Sequence, residues 1–272
     1  MSDAAAEPPA SAGAMTRDEA LVLLTTGDLA IEGRLVDASN ITLLATAALD
    51  GVTVDCVYKP IRGERSLWDF PDGTLAGREV ATFLVDQATG WCQVPPTVYR
   101  DGPLGPGMCQ LWVESEDISG LVDIVPQEAR PDGWYTIVSG VDQLGQEVAV
   151  VHADDERLRR LAVLDAVVNN ADRKGGHLLL TQAGSLYGVD HGICFHSDNK
   201  LRTLLWGWAG SELTVAELAA VARVRDQAPE ALRNLLSASE IEALVRRADL
   251  LVSRRRLPRP HGAWPSIPWP PF

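Results

Sequence analysis

The hydrophobic period of this chain changes once along its length. Before about residue 150, apolar residues alternate in short β-branched segments, "AIEGRLV", "ITLLATAAL", "VTVDCVYKP", "PTVYR" and "MCQLWVE". Turn chemistry such as "DASN", "LDG" and "DGPLGPG" separates them. From Asp154 the spacing becomes helical, with Leu158, Leu161, Leu164 or Asp165, and Val168 on one face of "DDERLRRLAVLDAVVNNADR". It stays helical through "TVAELAAVARV" and "SEIEALVRRADLLV". Strands followed by helices predict an α+β fold in which a β-rich part meets a helical part. Two helices precede the change: "TRDEALVLLTTG", with Thr16 as N-cap and Gly27 as stop, and "AGREVATFLVDQATG", which Gly90 closes. One short hairpin, "HLLLT" and "SLYGVD", interrupts the helices.

These patterns divide the chain into a disordered tail at 1–15, a β-rich lobe at 16–114, an insertion or linker at 115–152, a helical lobe at 153–257 and a Pro/Trp-rich tail at 258–272. The segment 115–152 is the least legible; "DGWYTIVSGVDQLGQEVAVV" reads as a hairpin beside the main sheet.

Composition narrows the function classes. A hydrophobic content of 46% in 272 residues is enough for a real core. The formal net charge of -13 leaves no basic face for phosphate backbones, which argues against nucleic-acid binding. Cys56, Cys92, Cys109 and Cys194 form no CxxC pair, so reduced thiols in a cytoplasmic setting are expected. The sequence offers no run of about 18 apolar residues and no basic-then-apolar leader, so neither a membrane span nor a signal peptide is expected.

The chemistry concentrates in "VVNNADRKGGHLLL", a polar, glycine-containing break between apolar runs that carries Asp172, Arg173, Lys174 and His177. Past the hairpin follows "YGVDHGICF" with Asp190. Phosphoryl transfer needs a cation on the phosphates, carboxylates for a divalent metal, and a group that orients the attacking hydroxyl. Two aspartates flanking one hairpin can converge on such a site. Lysine is scarce, so each of Lys59, Lys174 and Lys200 merits inspection; Lys59 ends the third strand in "CVYKP", where an ammonium can project from a sheet toward phosphate oxygens, and Glu79 in the next helix can pair with it.

The two loops resemble those of the phosphatidylinositol 3-/4-kinase-like branch of the protein-kinase fold, with its D-R-H-x-x-N, hydrophobic hairpin and I-D-x-G. The resemblance spans about residues 28 to 250 and implies a two-lobed protein-kinase-like fold with ATP between the lobes. It implies Asp172 as the catalytic aspartate, with Arg173 and with Lys174 in the usual His position. It further implies Asp190 as the metal-binding aspartate, His177 in place of the metal-binding asparagine, Lys59 and Glu79 as the strand lysine and helix glutamate, and Gln110, Leu111 and Trp112 as the hinge that meets adenine. Ser39 and Asn40 stand in the glycine-poor turn that would cover the phosphates. The implied activity is ATP-dependent phosphotransfer to a protein, a small molecule or an inositol lipid, with Mg²⁺ or Mn²⁺. An imidazole at His177 favours Mn²⁺ or a single-metal site. The alternative is a pseudokinase, a nucleotide-binding or interaction module without catalysis.

Overall fold

A computed structural model describes residues 15–35, 40–65, 67, 70, 75–260, 262 and 265–272. The tail expected at 1–15 lies outside the described residues except for Met15. The first helix, α1 (Arg17–Thr26), starts from a capping box: the Thr16 hydroxyl accepts the Glu19 N–H, and the Glu19 carboxylate accepts the Thr16 N–H. Three strands follow as an antiparallel meander, β1 (Asp28–Arg34), β2 (Leu43–Leu49) and β3 (Val52–Pro60). Asp50 and Gly51 form the β2–β3 turn with φ of 50° and 81°, the left-handed pair of a tight hairpin whose twist matches the strands.

Helix α2 (Leu75–Thr89) then leads to β4 (Thr97–Gly102) and β5 (Gly105–Leu111), and β5 inserts between β3 and β4, giving the order β1-β2-β3-β5-β4. Strand alternation sends neighbouring side chains to opposite faces. Cys109, with Ala45, Ala47, Cys56 and Tyr58, packs on Leu23 and Leu24 of α1, whereas Met108 packs on Ala76 and Val80 of α2. Each face of the sheet is thus covered by one helix.

The segment between β5 and the helices differs from its expectation. Its hairpin exists, as β7 (Tyr135–Val141) and β8 (Glu147–His152), but it pairs with β6 (Val122–Pro126) in a separate sheet of order β6-β8-β7. Leu121, Val122 and Val150 join the apolar cluster of the helices, so this sheet is part of the helical core.

Helix α3 (Glu156–Val168) is N-capped by Asp155 and stops where Asn169 turns left-handed at φ 56°. The chain then crosses the polar break and forms the short hairpin β9 (Leu178–Leu180) and β10 (Leu186–Gly188). Capping boxes at Thr214/Glu217 and Ser237/Glu240 start α4 (Val215–Leu232) and α5 (Ala238–Arg254). Leu158, Leu161 and Leu164 of α3, Val221 and Val224 of α4 and Leu244 of α5 form the largest apolar cluster together with Phe83 and Val85 of α2. Helix α2 thereby serves two cores at once. Among the described residues, no helix is long and apolar enough to cross a membrane.

Candidate functional site

A cleft of about 500 Å³ opens between the first sheet and the β9–β10 hairpin. Lys59 lies one residue before the end of β3, opposite Met108 in the β3–β5 register, and alternation points it away from buried Tyr58. Its Nζ donates to Glu79 Oε1 at 2.7 Å and to Asp190 Oδ1 at 2.8 Å. The other Glu79 oxygen accepts the His191 N–H at 2.8 Å, so one carboxylate ties α2 to both the sheet and the loop after β10. Asp190 sits at φ 60°, a left-handed residue that bends the chain off the hairpin; its side chain keeps 52% exposure. Its second oxygen lies 3.4 Å from His177 Nε2.

Electrostatics bind these groups as a unit. Burial would lower the Lys59 pKa, but the Asp190 and Glu79 carboxylates outweigh it and hold the ammonium charged. The Lys59 charge in turn keeps Asp190 ionised well below the usual carboxylate range, against the effect of burial. Burial pushes Glu79 up, and Lys59 opposes that shift. Burial also pushes His177 down, opposed by Asp190. A neutral His177 can donate from Nε2 to Asp190, while its Nδ1 is buried with no hydrogen-bond partner among the described residues.

Asp172 stands across the cleft on the segment after α3. Its own N–H donates to Asn170 Oδ1 at 2.9 Å, and Asn170 Nδ2 donates to Asp165 Oδ1 at 2.9 Å, which anchors the loop to α3. Lys174 Nζ lies 3.6 Å and Arg202 Nη2 3.9 Å from the Asp172 carboxylate. Burial raises the Asp172 pKa, and Lys174, His177 and Arg202 counter it.

Arg173 differs from its expected place beside Asp172 in the chemistry. Its side chain is 0% exposed and lies beneath the cleft, paired with Asp165 at 2.9 Å. It also donates to the His177 and Val189 carbonyls at 3.3 and 3.1 Å and to His191 Nε2 at 2.6 Å. The guanidinium therefore fastens the polar break to the end of β10. The physical reason is charge: a cation this deep needs a buried carboxylate, and Asp165 supplies it.

Of the other expected residues, Asn40, Gln110, Leu111 and Trp112 line the cleft, while Ser39 lies outside the described residues. The Leu111 and Trp112 N–H groups donate to Pro96 and Asp55 carbonyls, so they are committed to the sheet rather than open to a base. Sequence reasoning missed Asp165, Asn170 and His191. An aspartate on the apolar face of α3 was the available signal for the first.

Among the described residues no group of three or more His, Cys, Asp and Glu could hold a metal by itself. Asp190 and His177 supply two donors facing the cleft. That set leaves the remaining positions of a cation to phosphate oxygens and water, and its nitrogen donor fits Mn²⁺ better than Mg²⁺.

No known family profile matches the sequence. Over 273 residues the chain is 49% identical to protein Rv2133c of Mycobacterium tuberculosis, covering 95% of this chain and 98% of that one. Among solved structures, the Golgi casein kinase with Mn/ADP bound aligns with a TM-score of 0.52 and 15% identity over 88% of this chain and 75% of that chain. Hydra Fam20 with sugar aligns with a TM-score of 0.52 and 13% identity over 87% of each chain. At such identities the likeness is one of fold, and it makes this an α+β protein-kinase-like fold. The likeness does not single out the phosphatidylinositol 3-/4-kinase-like branch.

Proposed function

The chain belongs to the family of Mycobacterium tuberculosis protein Rv2133c, and we propose that it is an ATP-dependent phosphotransferase. The observation that carries this reading is the Lys59 ammonium held between Glu79 and Asp190 at the floor of the cleft, with Asp172 opposite. In the reading, ATP lies in the cleft between the β-rich lobe at 16–114 and the helical lobe, its phosphates toward Lys59 and its base packed on the cleft lining at Gln110, Leu111 and Trp112 rather than bonded to the Leu111 and Trp112 N–H groups, which the sheet already takes. A divalent cation, Mg²⁺ or Mn²⁺, would arrive with the nucleotide and neutralise phosphate charge. Asp190 would hold it, with His177 beside.

The protein's own groups divide the work. Lys59 neutralises phosphate oxygens as a point charge. Asp172 accepts a hydrogen bond from the acceptor hydroxyl and orients it, and its raised pKa moves it toward the range where a base is effective. Lys174, 3.6 Å from Asp172, supplies a cation where charge gathers on the transferring group. Arg173 touches no substrate and keeps the loop in place. The acceptor is a protein, a small molecule or an inositol lipid.

One observation favours a second reading, the pseudokinase. His177 Nε2 faces Asp190 as a donor, and its Nδ1 has no partner among the described residues, so ligation through Nε2 would leave a buried Nδ1–H unsatisfied there. Two measurements separate the readings. A thermal shift with ATP and Mg²⁺ or Mn²⁺ should stabilise the protein by about 2.7 kcal/mol at a ligand concentration of 100 Kd. No shift with either metal discards both readings. Release or transfer of label from γ-labelled ATP then distinguishes the catalyst from the binding module.

A further inference from the structure

The Pro/Trp-rich segment at the C-terminal side of α5 returns to the polar break. The Ser266 carbonyl accepts from the Thr203 N–H at 3.1 Å and from Trp206 Nε1 at 2.7 Å, which anchors the segment on the helical part. Pro268 and Pro271 are buried, and Ile267 packs on the main apolar cluster. At its end the Pro271 carbonyl accepts the Gly175 N–H at 2.9 Å. The Phe272 ring lies flush against Gly175, where a Cβ would collide with it. Gly175 is itself buried, whereas a Cβ on neighbouring Gly176 would meet nothing within 4 Å among the described residues.

Gly175 sits between Lys174 and His177, whose side chains both line the cleft, and the His177 N–H closes the turn on the Lys174 carbonyl at 3.2 Å. A short turn rich in glycine has little conformational preference of its own. What fixes it must come from outside: Arg173 and the Val189 N–H hold the His177 carbonyl at 3.3 and 3.0 Å, and at Gly175 itself the contacts are a backbone hydrogen bond and an aromatic ring from residues 271 and 272. We propose that the segment 265–272 is a positioning element for the catalytic loop, holding Lys174 and His177 at the cleft through Gly175. A glycine at 175 is what lets the ring approach. The consequence for turnover rests on the phosphotransfer reading; the clamping of the loop does not.

The test uses the full chain, Phe272→Ala, Gly175→Ala and the double variant. Amide hydrogen exchange is followed in peptides spanning 172–179, alongside the affinity for Mn²⁺-ATP and turnover of γ-labelled ATP. Exchange in 172–179 should accelerate about tenfold in Phe272→Ala while peptides from β2, β3 and β5 keep the parent's rates. kcat should fall about tenfold with the KM for ATP within about twofold of the parent, the mark of lost positioning rather than lost binding. Gly175→Ala should match it by displacing the ring, and the double variant should be no worse than either single one. Unchanged exchange in 172–179, or faster exchange with unchanged kcat, overturns the proposal. A parent without turnover refutes phosphotransfer alone, and the exchange result still decides whether the segment clamps the loop.

Discussion

At the scale of single residues, Lys59 bridges two carboxylates in the cleft, and its two partners differ in what its loss does to them. Asp190 is half exposed and can be solvated, whereas the Glu79 side chain is 2% exposed and would be left buried without its cation. Lys59→Met should therefore weaken metal-ATP binding and also lower the melting temperature. The second effect is softened because burial already pushes the Glu79 pKa upward and lets it take a proton. Lys59→Arg should not restore binding, since a planar fork cannot replace a point charge held 2.7 and 2.8 Å from two carboxylates. Calorimetric titration of ATP against the three proteins decides; an arginine variant equal to the parent would refute the role. The aspartates separate cleanly. Asp190→Asn should abolish the metal dependence of ATP binding, while Asp172→Asn should bind ATP normally and lose about 10²- to 10⁴-fold in turnover. Equal loss of affinity in both would contradict the division. Lys59, Asp172 and Asp190 were legible in the sequence because each ends a patterned segment next to a turn. Asp165, Asn170 and His191 were not, since their partner Arg173 or its loop is reached only through the fold.

At the scale of elements, helix α2 decides whether Glu79 reaches Lys59. It is buried from Ala76 through Phe83, and Arg78 pairs with Glu240 of α5 and donates to the Cys194 carbonyl at 2.9 Å. An amphipathic helix would leave a polar face to water; this one spends its polar residues on the helical core. Arg78→Met should cost about 3–5 kcal/mol in denaturant unfolding, because it leaves the buried Glu240 carboxylate uncompensated. A loss below about 1 kcal/mol, the range of exposed ion pairs, would show that water already screens the pair. The elements themselves were largely readable: Thr16 caps α1 as expected, and "TVAELAAVARV" and "SEIEALVRRADLLV" fall on α4 and α5, although the cap of α5 is Ser237, two residues before the expected start. Boundaries were less so: the apolar period of α3 carries into the polar break, but the helix ends at Asn169, whose amide donates to the His196 and Asp198 carbonyls. That choice depends on a loop about thirty residues away, which no local pattern contains.

At the scale of the whole molecule, the misread part is the sheet β6-β8-β7, and the reason is where its apolar residues find partners. Alternation in β8 announced a strand, yet Val150 buries against the helical cluster and His152 against Trp208, neither of which is near in sequence. His152 reports on that docking. It is 0% exposed, its Nδ1 donates to the Ala153 carbonyl at 2.8 Å, and its Nε2 accepts the Gly207 N–H at 3.1 Å. Both ring nitrogens are satisfied in the neutral form. Burial accordingly lowers its pKa, against the opposing pull of the Ala153 carbonyl and Asp154, and protonation would break the Gly207 bond. The unfolded chain takes up a proton near pH 6.5 and the folded protein only at lower pH, so this contribution is whole above pH 6.5 and is lost as pH falls below it. His177 and His191 shift the same way, whereas Glu79 and Asp86, raised by burial, act in the opposite sense. The His152 share is isolated by difference. Between pH 7.5 and 5.5 the parent should lose stability relative to His152→Gln at up to about 1.4 kcal/mol per pH unit, measured by urea unfolding at each pH. Parallel stability curves for the two proteins would mean that the folded state takes up the proton too, and that the sheet is not docked on the helices through a neutral imidazole.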